Sequence, residues 1–270
     1  MSQRPPPGDF TNTARARMAL SAVIVGEGSP VVLLHGWGIH ARVWDGLAAA
    51  LAPRYQVCMA DLPGYGDSPL CAPYSLQMIA QALAREMPRR CHVVGWSLGA
   101  LVALAWAQSA PRQVARLALL AATPCFVQRP GWPHGVEPAM LATFTRDLES
   151  DRERAIERFI ALQVLGDKAA RQTAQALRRT ASGQTPNMAA LKGGLQILLD
   201  ADLRGALTGI KQRTLVLHGE CDRLTPLAAG RHLGNAIPGA RFELMDGAGH
   251  APFLSKPAPV AAILSDFLDG

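Results

Sequence analysis

The sequence predicts an α/β fold, a mainly parallel central sheet with helices on both faces and an inserted helical segment. Three observations predict it. Short runs such as Val31–Leu34 are apolar throughout, the mark of strands buried on both faces. Helical stretches separate these runs at strand–helix–strand spacing. From Pro124 to Gly194 that rhythm stops and amphipathic helical patterning replaces it.

Residues 1–18, with Pro5-Pro6-Pro7-Gly8, read as a flexible tail. A first strand is expected within Met18–Val25, closed by Gly26-Glu27-Gly28. Val31–Leu34, Gln56–Ala60, His92–Val94, Leu117–Leu120, Thr214–Leu217 and Arg241–Met245 follow as strands. Helices are expected over Trp44–Ala52, Ser75–Glu86, Leu98–Ser109, Pro226–Leu233 and Pro257–Leu268. The core is thus assigned to 19–123 and 195–270, and a helical lid insertion to 124–194. Within the insertion Ile156, Phe159, Ile160 and Val164 form an apolar stripe at helical spacing, and Ala170–Thr180 reads as a second helix. Open α/β sheets bind ligands at the carboxyl ends of their strands, so an insertion emerging there is expected to cover the site.

Composition narrows the classes. The chain has 270 residues, 49% apolar and 18% charged, a globular balance. No apolar run approaches the ~20 residues that span a bilayer, and the start lacks a secretory pattern, so a cytoplasmic protein is expected; a monomer is the simplest expectation. The five cysteines are odd in number and form no CxxC, which reads as reduced, structural thiols. There is no HExxH and no paired CxxC, so neither metal nor cofactor is expected. Gly64-Tyr65-Gly66-Asp67-Ser68 lacks the lysine of a phosphate loop. The net charge is +6, yet no basic run is interleaved with aromatics, which argues against nucleic acid.

The chemistry is carried by Gly95-Trp96-Ser97-Leu98-Gly99, between a strand and a helix. That is the context of a nucleophile elbow, where a tight turn exposes a serine. A serine hydroxyl needs a base. His250 is the candidate, in the glycine-rich Asp246-Gly247-Ala248-Gly249-His250 after the last strand. Asp222 is the preferred orienting acid, with Glu220 competing and Asp246 a distant third. Serine, aspartate, histidine is the chain order of the α/β-hydrolase class. Acyl transfer also needs oxyanion donors. These are assigned to the backbone N–H of Leu98, after the nucleophile, and of Trp37, in His35-Gly36-Trp37-Gly38. His35 is expected to support its turn. His40, His92, His134, His218 and His232 carry no catalytic context.

The motifs at 35–38, 61–68 and 95–99 resemble the α/β-hydrolase superfamily. A narrower resemblance lies in Glu157–Gln163, Ala170-Arg171-Gln172, Gly193–Leu198, Asp202-Leu203-Arg204 and His250-Ala251-Pro252-Phe253. These are similar to the biotin-pathway carboxylesterases, the pimeloyl-[acyl-carrier protein] methyl ester esterases, from about Ala19 to the C-terminus. The resemblance implies hydrolysis of a methyl ester borne on an acyl carrier protein, giving the free acid and methanol. It also implies that lid arginines hold the acidic carrier. The matching residues are Arg154, Arg158 and Arg171, and Gln175 stands at a fourth position where arginine is expected. Arg178 and Arg179, a turn further, could compensate. Phe159 matches an aromatic position near the acyl chain, beside Trp37. Residues 124–194 hold ten Lys/Arg against seven Asp/Glu, a small cationic excess. The alternatives are a carboxylesterase for short free esters, a carbon–carbon hydrolase on the same fold and a non-catalytic ligand receptor.

Overall fold

A computed structural model describes residues 20–182 and 186–270. Seven strands form one sheet: β1 (Ala22–Val25), β2 (Ser29–Leu34), β3 (Tyr55–Ala60), β4 (Cys91–Trp96), β5 (Val114–Leu120), β6 (Arg213–Gly219) and β7 (Arg241–Met245). Their spatial order is β1-β3-β2-β4-β5-β6-β7. Among these described strands only the β1–β3 pair is antiparallel, and the others pair in parallel. The apolar runs are explained by two-sided burial. Val32, Leu34, Val93 and Val216 join the core on one face, while Val31, Leu33, Val94, Leu215 and Leu217 join the core on the other. The expected first strand is shorter than its pattern: Leu20 and Ser21 precede β1, and Met18 and Ala19 lie outside the described residues, as does the rest of the Pro-rich tail.

The core helices are α1 (Asp45–Leu51), α2 (Leu76–Glu86) and α3 (Leu98–Ser109). The insertion contributes α4 (Pro138–Ser150), α5 (Arg152–Gln163), α6 (Ala170–Ala181) and α7 (Met188–Asp200). After β6 come α8 (Leu227–Ala236), the single turn α9 (Pro252–Ser255) and α10 (Pro257–Asp269). Helices α2, α3 and α8 cover one face, and α1 and α10 the other. The expected helix over Trp44–Ala52 is preceded by a 3-10 turn, Ala41–Trp44, capped by His40.

Among the described residues four α-helices rather than two stand between β5 and β6, and α7 runs across the Gly194/Leu195 boundary. Its adjacent glycines disguise it, since interior glycine costs a helix about 1 kcal/mol. Packing requires them: a Cβ on Gly194 would lie 2.6 Å from the Trp37 ring, and one on Gly193 2.4 Å from the Tyr74 ring. Phe159, Leu191 and Gly194 meet Trp37, so α5 and α7 pack against the loop after β2. Among the described residues no helix is long and apolar enough to cross a membrane.

Candidate active site

β4 ends at Trp96 and α3 begins at Leu98, leaving Ser97 alone in the turn. Its φ of 57° and ψ of −117° are costly for a residue with a side chain, of order 1–3 kcal/mol. The surroundings hold it there: Ser97 N–H donates to Leu120 O at 3.1 Å. The flanking glycines are steric necessities. A Cβ on Gly95 would stand 2.4 Å from Gly99 O, and one on Gly99 2.3 Å from Leu34 O. Elbow, helix and β2 exit are therefore clamped together by backbone contact.

His250 follows β7 and is fully buried. Its Nε2 lies 2.9 Å from Ser97 Oγ and its Nδ1 2.8 Å from Asp222 Oδ2. A carboxylate is acceptor-only, so Nδ1 carries a proton toward Asp222 and Nε2 can accept from the serine hydroxyl. Asp222 sits in the turn after β6. Leu224 N–H and Thr225 N–H each donate to its Oδ1 at 2.9 Å, and the Thr225 hydroxyl donates to Oδ2 at 2.6 Å. Burial alone would raise this carboxyl; His250, His218 and the Thr225 hydroxyl outweigh burial and hold it below the ordinary carboxylate range. The competing acid, Glu220, is turned elsewhere and accepts the Gly247 N–H at 2.8 Å. Asp246 is exposed.

The loop after β2 lies against the serine: a Cβ on Gly36 would be 3.4 Å from Ser97 Cβ. Among the described residues neither the Trp37 N–H nor the Leu98 N–H has a hydrogen-bond acceptor. Trp37 is pinned by its indole N–H to Leu191 O at 2.8 Å and meets Phe159 edge-on at 4.8 Å. Arg154 and Arg158 on α5 and Arg171 on α6 are exposed. Arg158 pairs with Asp147 at 2.6 Å and stacks on Phe144. Gln175 is exposed on the same helix as Arg171. Arg178 is engaged by Glu157 at 2.9 Å, so of the two compensating cations it is already paired.

Several neighbours of the site were not singled out by sequence reading. Trp96, inside the motif, donates its indole N–H to His250 O at 2.7 Å. Thr225, three residues past Asp222, is a turn-capping pattern that could have been read. His218 is buried, with Nε2 2.8 Å from Thr225 O, and burial above all lowers its pKa. His35 does support its turn: Nε2 accepts Leu62 N–H at 3.0 Å and Nδ1 donates to Gly36 O at 2.9 Å. Cys58 and Cys91 are buried in β3 and β4, where burial pushes their thiols up to about 11 and about 12. Cys221 is half-buried beside Asp222. No cluster of three or more metal-ligating side chains occurs among the described residues.

Residues 31–263 match the sequence model of the alpha/beta hydrolase family. A protein from Aeromonas hydrophila subsp. hydrophila named pimeloyl-[acyl-carrier protein] methyl ester esterase is 41% identical over 254 residues, 93% of this chain and 100% of that protein. Proteins of the same name from Nitrosomonas europaea and Methylococcus capsulatus are each 42% identical, over 86% and 93% of this chain and 92% and 99% of their own lengths. Among solved structures, an esterase from Exiguobacterium antarcticum superposes with a TM-score of 0.86 at 24% identity, covering 93% of this chain and 96% of its own. The enol-lactonase from Burkholderia xenovorans superposes with a TM-score of 0.81 at 22% identity, covering 93% of this chain and 96% of its own. These two likenesses concern the fold.

Proposed function

The chain belongs to the alpha/beta hydrolase family, and within it to the pimeloyl-[acyl-carrier protein] methyl ester esterases, and from that premise we propose how its residues carry out the reaction. The protein is a carboxylic ester hydrolase that cleaves the methyl ester of a pimeloyl group carried on acyl carrier protein, the biotin-pathway reaction. Ser97 is the nucleophile, His250 the general base and Asp222 the acid that fixes the imidazole. Ser97 Oγ attacks the ester carbonyl while His250 Nε2 takes its proton. The tetrahedral oxyanion is met by the N–H groups of Trp37 and Leu98. Collapse breaks the bond to methoxide, which leaves as methanol with the proton returned by His250. Water, deprotonated by the same nitrogen, then attacks the Ser97 ester; the acyl–Oγ bond breaks, His250 returns the proton to Ser97 Oγ, and pimeloyl-acyl carrier protein leaves with its free carboxylate. Asp222 stabilises the imidazolium throughout and does not take the proton.

The observation that carries this reading is the hydrogen-bonded line from Asp222 Oδ2 through His250 to Ser97 Oγ, 2.8 and 2.9 Å, on a strained serine. Helices α4–α7 form the lid. Phe159 and Trp37 line the acyl path, and the exposed Arg154, Arg158 and Arg171 face the acidic carrier protein. The test compares pimeloyl-acyl carrier protein methyl ester with p-nitrophenyl butyrate, using Ser97→Ala as control. Preferential cleavage of the carrier-bound ester, lost in Ser97→Ala, is the expected result. Turnover of the short free ester alone would move the protein to general carboxylesterases.

A further inference from the structure

The loop bearing His250 is gripped by the end of α5 and the connector from α5 to α6. His250 N–H donates to Gln163 O at 3.0 Å, and Lys168 N–H donates to Gly247 O at 2.9 Å. Between them Asp167 Oδ2 accepts the Gly249 N–H at 3.0 Å, while its Oδ1 accepts the Ala169 N–H at 2.7 Å. Asp167 is buried, only 7% exposed. Gly249 makes the approach possible, because a Cβ there would stand 3.0 Å from both Asp167 Cβ and Gln163 O. The connector also reaches the acid loop: a Cβ on Gly166 would lie 3.3 Å from Cys221 O. The local turn to Ala169, just before α6, occupies one carboxylate oxygen. The other is committed to the residue just before His250.

We propose that Asp167 is a positioning residue for the general base, so that the insertion supports catalysis as well as covering it. The proposal rests on the reading of His250 as that base. The imidazole is aimed by Asp222 and Ser97, but the backbone it springs from is fixed elsewhere. Its N–H is held by Gln163 O, its carbonyl by the Trp96 indole, and the preceding N–H by the Asp167 carboxylate. A bond to a buried anion is about twice as strong as a neutral one. A catalytic group displaced by ~1 Å can cost ~10²-fold in rate. Asp167 is remote in sequence from both Ser97 and His250, and the contact arises from the way the insertion folds back.

The experiment measures kcat and KM separately for p-nitrophenyl butyrate in Asp167→Ala and Asp167→Asn, together with the rate of Ser97 labelling by a fluorophosphonate. A free ester is used so that carrier docking contributes nothing. Asp167→Ala removes both acceptors, whereas asparagine retains one. Expected is a fall in kcat of about tenfold in Asp167→Ala and less in Asp167→Asn, at unchanged KM, with labelling slowed in the same ratio. Unchanged kcat and labelling would overturn the proposal, as would a raised KM at constant kcat, which would make Asp167 part of the acyl site. If Asp167→Ala does not fold, the same two readouts on Asp167→Asn decide. Residual turnover by Ser97→Ala would instead defeat the reading of the triad, an outcome separate from any effect at Asp167.

Discussion

At the scale of the residue, the proposed mechanism depends on keeping one buried carboxylate ionised and correctly aimed. Asp222 has two backbone N–H donors, one hydroxyl and one imidazole around it, which removes any need for solvent. Asp222→Asn preserves shape but presents an amide N–H where an acceptor is needed, favouring the wrong imidazole tautomer. Its kcat is expected to fall by ~10⁴ with KM little changed, measured with either ester. Thr225→Val removes the 2.6 Å hydroxyl donor while keeping volume. Charge-assisted hydrogen bonds contribute ~1.5–3 kcal/mol, so Thr225→Val should lose roughly that much stability in urea unfolding. Its activity should fall far less than that of Asp222→Asn.

At the scale of the element, the tight joint is β4–Ser97–α3 against the β2 exit. Gly99→Ala would place a methyl group 2.3 Å from Leu34 O, a backbone atom that cannot swing aside. Large losses follow from such overpacking, ~1–3 kcal/mol or more, so this variant should lose solubility or melt well below the parent. Helix α7 behaves in the same way toward Trp37. Gly194→Ala, with 2.6 Å to the indole ring, should displace Trp37 and raise KM for the acyl ester. Because the Trp37 N–H is also a proposed oxyanion donor, kcat for a small ester should fall as well.

At the scale of the whole molecule, protonation and charge set the working range. Burial lowers the His35 pKa from 6.5 to about 4, and its ring nitrogens are already used by Leu62 N–H and Gly36 O in the neutral form. The unfolded chain therefore takes up a proton that the folded chain refuses. That contribution is fully present above the unfolded value and is lost as pH falls from 6.5 toward 4, of order 3 kcal/mol. His218, lowered chiefly by burial, acts in the same direction. Asp222, held low, adds a further loss only as pH falls through the carboxylate range. Urea midpoints measured from pH 7 to 4.5 should decline steadily, and His35→Gln should flatten the slope. The net charge of +6 suits steering of an acidic carrier. Added salt should lower kcat/KM for the carrier-bound ester and leave the free ester nearly unaffected.

The sequence by itself determined the parallel sheet, the elbow and the order serine, aspartate, histidine. Each is written in neighbouring residues: apolar runs for strands buried on both faces, glycines two positions either side of Ser97, and a loop after each of the last two strands. Only the tertiary structure decided which carboxylate meets His250, because Asp222 and Glu220 stand two residues apart and differ in where the turn aims them. It also decided that α7 is a helix despite Gly193-Gly194, since the benefit lies in packing against Tyr74 and Trp37, far away in the chain. The grips of Gln163 O and Asp167 on the His250 loop were invisible for the same reason. Periodicity and turn chemistry record what a residue does to its neighbours in the chain. A hydrogen bond between segments far apart in sequence leaves no local trace, and it exists only once the end of α5 and the connector after it have packed against the His250 loop.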